Sequence, residues 1–109
     1  MPFPEAERAI VTEEKVRDYL LNPSHPIGGS KAVWFASIGY SIENWQDLID
    51  DLMLLAGSVE DFVAKPSPFG VKYEVIGKIG RPGHHPADVI TVWIVEGNKA
   101  PRLITAYPG

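Results

Sequence analysis

His25, Lys31, Lys72, Lys78, Arg81, His84, His85, Arg102, Thr105 and Tyr107 are the side chains of this sequence whose types can do chemistry together. The set holds no carboxylate, which suits metal-free cleavage of a phosphodiester. A histidine or lysine can move a proton, worth roughly 10²–10⁴-fold in rate. An arginine can hold a phosphate with two donors as its charge rises. A threonine adds one hydrogen bond, and a tyrosine can stack on a base. Each also has a plain structural use. Arg102 charges an edge strand against aggregation, Thr105 is a good β-former, and Tyr107 can close a core.

Other chemistries find less support. There is no cysteine, hence no disulfide, thiolate metal site or thiol nucleophile. No H-E-x-x-H pattern is present, and the adjacent His84 and His85 face opposite ways in an extended segment, so no metal is expected. Gly28-Gly29-Ser30-Lys31 precedes a helix but lacks the order of a nucleotide-hydrolysing phosphate loop. The free N–H groups of that helix start, with Ser30 and Lys31, can hold one phosphate; the plain alternative is capping by Ser30. There is no G-x-S-x-G nucleophile elbow and no G-x-G-x-x-G dinucleotide fingerprint, so no cofactor is expected.

The 109 residues fit a single domain, 1–109, and the apolar fraction of 45% can supply its core. The net charge is −4, unevenly spread: residues 1–71 carry 5 Lys/Arg against 11 Asp/Glu, and residues 72–109 carry 5 against 3. The basic character thus sits in the second part. No apolar run approaches the roughly 20 residues of a membrane span. The start, Met1-Pro2-Phe3-Pro4-Glu5, lacks the pattern of a signal peptide, and a cytoplasmic protein is expected.

The elements that must position these side chains follow from periodicity. Residues 1–11, with two prolines and several charges, read as a loosely held arm. Thr12 caps a helix over 13–21, with Val16, Tyr19 and Leu20 as its core stripe. Asn22-Pro23 stops it. Ser30 caps a second helix over 31–38, ending at Gly39. Ser41 caps a third over 42–56, whose apolar residues keep a 3.6-residue period while Glu43, Asp47, Asp50 and Asp51 cover its other side. Those carboxylates read as a solvated face rather than a metal site. Ser58 and Asp61 suggest a short fourth helix, 59–64. Three strands follow, over 71–79, 87–96 and 102–107, joined by short turns. The class is α+β: three to four N-terminal helices packed on a C-terminal three-stranded antiparallel meander. The middle strand, apolar on both faces, is central. In a regular strand Arg102 and Thr105 point to opposite sides, and they share a site only across a twist, a bulge or an edge.

The blocks "YLLNPSHPIGGSKAVWFASIGY", "FGVKYEVIGKI" and "VITVWIVEGNKAPRLITAYP" resemble an uncharacterised bacterial domain family. That family occurs as small standalone proteins, common in cyanobacteria, and at the C termini of polymorphic toxins. The resemblance spans about residues 10–108. Helices followed by an antiparallel sheet whose last strand carries "TAYP" are also similar, more weakly, to ribonuclease toxins of the barnase, colicin and RelE type. That resemblance implies a last-strand hydroxyl at Thr105, an early basic residue at His25 or Lys31, and a phosphate holder at Arg102 or Lys72. The net acidity of the chain departs from it.

The expected function is a small metal-independent ribonuclease-like toxin of a toxin–antitoxin or polymorphic-toxin system. His25, Lys31, Arg102 and Thr105 would be catalytic, and Lys72, Lys78, Arg81 and Tyr107 would bind the RNA. The last strand would form one wall of a phosphate site, and a cognate antitoxin would cover the sheet face. One rival is a non-catalytic antitoxin or immunity-type module, or a protein whose partner surface is the acidic third helix. Another is a homodimeric small-ligand binder using Trp34, Trp45 or Trp93.

Overall fold

The alternation over 71–79 and 87–96 becomes two long neighbouring strands in the computed structural model of the chain, which describes residues 1–27 and 29–109. One antiparallel sheet contains β1 (Phe62–Ser67), β2 (Gly70–Ile79), β3 (Ala87–Val95) and β4 (Arg102–Pro108), paired in that order. The α+β class and the antiparallel meander hold, but the sheet has four strands rather than three. The segment expected as a fourth helix is β1. Six residues are too few to nucleate a helix without strong packing, whereas as a strand the segment turns Phe62 inward against the core. Pro66 is tolerated because β1 is an edge, and Ser67 faces Gly70 across the turn into β2.

Two α-helices, α1 (Gly29–Ser37) and α2 (Trp45–Ser58), cover one face of the sheet with a shorter π-helix, Lys15–Leu20. Thr12 Oγ1 accepts the Lys15 N–H at 3.2 Å at the entry to the π-helix. Ser41 and Asn44 form a reciprocal capping box over a 3₁₀ turn, Ile42–Asn44, that leads into α2. Gly28, part of the Gly-Gly-Ser-Lys run, lies outside the described residues. The helix has already begun at Gly29, so Ser30 stands inside its first turn rather than at its cap.

The helix-facing side of the sheet joins Val75, Val89, Thr91, Trp93, Leu103 and Ala106 to Val16, Leu20, Phe35, Leu48 and Leu52 in the core. The expected loose arm instead belongs to that core. Phe3 stacks on Tyr73 with ring centroids 5.0 Å apart, and Ala6, Ala9 and Val11 are buried. Ile10 then runs parallel to the outer edge of β4, donating to Pro101 O at 2.8 Å and accepting from Leu103 N at 3.0 Å. The small alanines let this irregular segment lie close to the sheet, and its backbone groups find partners there.

Among the described residues no helix is long and apolar enough to cross a membrane.

Candidate functional site

The stripe Val16, Tyr19, Leu20 forms as the sequence suggests, but its winding differs. Leu21 N donates to Val16 O at 2.8 Å, an i→i+5 bond that widens the turn. Val16 and Leu20 stay fully buried, while Tyr19 is only half-buried. The π-helix packs along β4, and the Tyr19 hydroxyl lies 3.2 Å from Thr105 Oγ1.

A β-bulge in β4 sets the position of Thr105. Val92 faces Thr105 and Trp93 faces Leu103, so Ile104 is the extra residue. The bulge puts Leu103 and Ala106 both on the core side, three residues apart. It also brings Arg102, opposite Ile94, and Thr105, opposite Val92, to the same side of the sheet. The irregularity that a shared site requires is therefore present.

Three of the four residues expected to be catalytic gather around Tyr19. Lys31, on the first turn of α1, places Nζ 5.3 Å from the Tyr19 ring centroid. Lys15, on the π-helix itself, places Nζ at 5.1 Å. Both lie within cation–π range. The His25 ring meets Tyr19 edge-on at 5.0 Å. His25 Nδ1 accepts the Ile27 N–H at 3.0 Å, which leaves the proton of the neutral ring on Nε2. Thr105 completes the group. Burial alone would raise the Tyr19 pKa. The interaction of its hydroxyl with Thr105 and Lys31, with the positive charges of Lys31 and Lys15, outweighs burial and holds the phenol below its ordinary value. Tyr19 is the centre of this cluster, and sequence reasoning assigned it only to the core. Its place in a helical apolar stripe hid it; Lys15, four residues earlier, was the local signal.

Arg102 does not join the cluster. Its Nε and Nη2 both bond Glu96 Oε1, at 3.1 and 2.8 Å, so one carboxylate oxygen holds the fork. Lys78 pairs with Asp88 at 2.7 Å. Arg81 is held by Asp51 at 3.1 Å and Asp47 at 3.7 Å, at the end of the molecule where the β2–β3 turn meets the helices. Lys72 lies between Lys65 and Ile94 on the sheet side away from the helices and has no ion pair among the described residues. Tyr107, half-buried, stands opposite Ile90 on that same side.

A second polar group links α2 to the β2–β3 turn. The Tyr40 hydroxyl donates to Asp51 Oδ2 at 2.6 Å, and the same oxygen accepts from Arg81. Burial, then the hydrogen bond to Asp51 and that carboxylate's charge, push the Tyr40 phenol well above its ordinary value; Arg81 opposes this in part. Two clefts flank the group. One, about 340 Å³, lies between α1 and the turn into α2; the other, about 390 Å³, lies between α2 and the β2–β3 turn and includes Lys78 and Arg81. Neither is lined by Arg102, Thr105 or any of the three tryptophans. Trp93 is wholly buried in the core, so a ligand pocket walled by tryptophans finds no support there.

The chain belongs to the family described as a domain of unknown function, DUF6883, whose model matches residues 2–109. No curated protein matches it in sequence. Among solved structures, it is similar to a chain of a contact-dependent growth inhibition toxin–immunity protein complex from Klebsiella pneumoniae 342. The TM-score is 0.73 over 92% of this chain and 99% of that one, at 15% identity. A likeness at that identity is one of fold.

Proposed function

We propose that this chain is a metal-independent ribonuclease-like toxin whose centre is Tyr19, flanked by Thr105, Lys31, Lys15 and His25. The observation that carries the reading is the meeting of the Tyr19 and Thr105 hydroxyls with two ammonium groups beside the same ring. The ribose 2′-OH would attack its own phosphorus and pass its proton to the Tyr19 oxygen, whose anionic form the two lysines favour. The ammonium groups of Lys31 and Lys15 would balance the growing phosphate charge, and Thr105 would donate to a phosphate oxygen. The P–O5′ bond would break as the 5′-oxygen takes the proton that Tyr19 had received, giving a 2′,3′-cyclic phosphate and a 5′-hydroxyl end and restoring Tyr19. Support also comes from the fold, shared with a chain of a toxin–immunity complex, and from the π-helical turn that presents Tyr19, a distortion frequent at functional sites. A cytoplasmic place of action and a neutralising protein partner belong to the same reading. Arg102 is not given a catalytic role, because Glu96 occupies it.

The test is incubation of the purified protein with total RNA and purified tRNA, with EDTA present, beside Tyr19→Phe and Thr105→Ala. Defined fragments ending in 2′,3′-cyclic phosphate, lost in both variants, support the reading. RNA left intact across a wide protein concentration range overturns it.

The second reading is a non-catalytic immunity-type module. The same structural neighbour favours it, since that complex contains an immunity protein as well as a toxin. Under it, Tyr19 and Thr105 join the π-helix to β4, and their substitution leaves partner binding intact.

A further inference from the structure

We propose that the apolar cleft between the end of the π-helix, α1 and the 3₁₀ turn before α2 seats one large apolar side chain from a basic segment of a partner protein. This inference stands apart from the Tyr19 cluster and does not depend on RNA cleavage.

The cleft has a closed floor and an open rim. Leu21, Ala32 and Tyr40 form the floor and are buried. Val33 and Ile42 form the walls and stay 68% and 42% exposed. Its volume of about 340 Å³ falls at the small end of ligand sites, which run roughly 300–1,000 Å³. That is room for one aromatic or branched aliphatic group rather than an extended cofactor. The exposed flanks of Val33 and Ile42 carry the apolar surface beyond the cleft, where a small molecule seated inside would leave them wet. A protein segment covers both cleft and flanks, which is the anatomy of a hot-spot pocket with its rim.

Charge decides the flanking chemistry of the occupant. Glu43 is the one charged residue in the lining, with Ser41 beside it. The Tyr40 hydroxyl is already committed to Asp51, so its ring serves only as floor. Further along α2, one cation, Arg81, is shared by two carboxylates, Asp47 and Asp51. Glu43 and Asp50 are exposed, and neither has an ion pair among the described residues. The one charge at the cleft itself is therefore negative, on an acidic helix, and the complementary segment carries Lys or Arg beside its apolar anchor. A nucleic-acid backbone would be repelled from the same place.

The test is a titration of isotope-labelled protein, followed by amide NMR shifts, with the peptide Ala-Lys-Lys-Trp-Lys-Lys-Ala. The controls replace its Trp by Ala, or its lysines by Glu. Saturable shifts at Ala32, Val33, Ala36 and Ile42, with at least tenfold weaker binding of both controls, support the proposal. Ala36→Leu, an exposed position that fills the cleft, should abolish those shifts, and Glu43→Lys should weaken binding severalfold while circular dichroism confirms an intact fold. The proposal is overturned by four results: no localised shifts at millimolar peptide, equal binding of the acidic peptide, binding unaffected by Ala36→Leu, or free indole binding as tightly as the peptide. If the same amides shift with protein concentration alone, a second copy of the chain is the occupant and the basic-segment assignment falls.

Discussion

The hydroxyl of Tyr19 lies 3.2 Å from that of Thr105, across 86 residues of sequence. The contact ties the π-helix to the last strand, beside the ring that Lys15 and Lys31 both approach. Tyr19→Phe keeps the ring, and with it the edge contact to His25 and the faces offered to Lys15 and Lys31, and removes only the oxygen. RNA cleavage should fall by about 10²–10⁴-fold, while stability changes by no more than about 0.5–1.5 kcal/mol, the net worth of one hydrogen bond. Fragment yield and a denaturant melt, measured on the same preparation, read the two effects separately. A lower melt with undiminished cleavage would assign the pair to folding alone.

Tyr19 and Tyr40 should titrate in a fixed order. Tyr19 is held below the ordinary phenol value of 10.0 and Tyr40 above it. Absorbance of the phenolate on raising pH should therefore show the Tyr19 step before the Tyr40 step, and Tyr19→Phe should remove the earlier of the two. The effects on stability have opposite signs. The folded chain keeps the Tyr40 proton after the unfolded chain has lost its own, so that contribution is whole below pH 10.0 and is lost as pH rises through the folded value. The folded chain releases the Tyr19 proton early, so that contribution is present above pH 10.0 and is lost as pH falls through the folded value. A Tyr40→Phe chain that still loses stability above pH 10.0 as steeply as the native one would refute the first assignment.

Periodicity made the two long strands, α1, α2 and the amphipathic stripe of the π-helix legible, because burial of one face imposes it. It could not place β1. In that segment the inward Phe62 alternates with an outward Val63, and the proline and lysine of an edge strand mimic a helix stop. Nor could it place the arm, whose prolines and charges masked Phe3 and its small buried neighbours. The candidate site was legible in its outer members, His25, Lys31 and Thr105, because polar residues in loops, caps and strands stand out. Its central Tyr19 was not, because a tyrosine in an apolar stripe looks the same whether its hydroxyl meets water or a threonine 86 residues away. Arg102 misled for a related reason: an arginine near a strand hydroxyl implies a shared partner, yet Glu96, in the preceding turn, reaches it first.

The core holds one buried polar pair whose removal should be costly. Trp93 Nε1 donates to Thr91 Oγ1 at 2.8 Å, and both residues are fully buried on the central strand. Thr91→Val keeps the β-branched shape but leaves the indole N–H without an acceptor. A loss of about 1–3 kcal/mol is expected, the desolvation cost of an unsatisfied donor. Urea unfolding measures it, and a loss under a few tenths of a kcal/mol would mean the indole finds another acceptor.

Two glycines should answer oppositely to the same substitution. Gly39, after α1, has φ +101°, and a Cβ there would come within 2.8 Å of Arg81 Cβ and 2.9 Å of His84 Cδ2. Gly39→Ala must strain the backbone and push back the β2–β3 turn, whose Arg81 N donates to Ile38 O and whose guanidinium holds Asp51. The backbone strain alone should cost about 1–3 kcal/mol. Gly57, in the last turn of α2, would meet nothing within 4 Å of an added Cβ apart from its chain neighbours and its own helix backbone. Gly57→Ala should stabilise by about 0.4–1 kcal/mol, because alanine restricts the unfolded chain and suits a helix. Paired urea melts give both numbers. A Gly39→Ala chain as stable as the native one would show that the turn docks on α1 without needing the close approach, and the Tyr40–Asp51–Arg81 group would then have to hold it by itself.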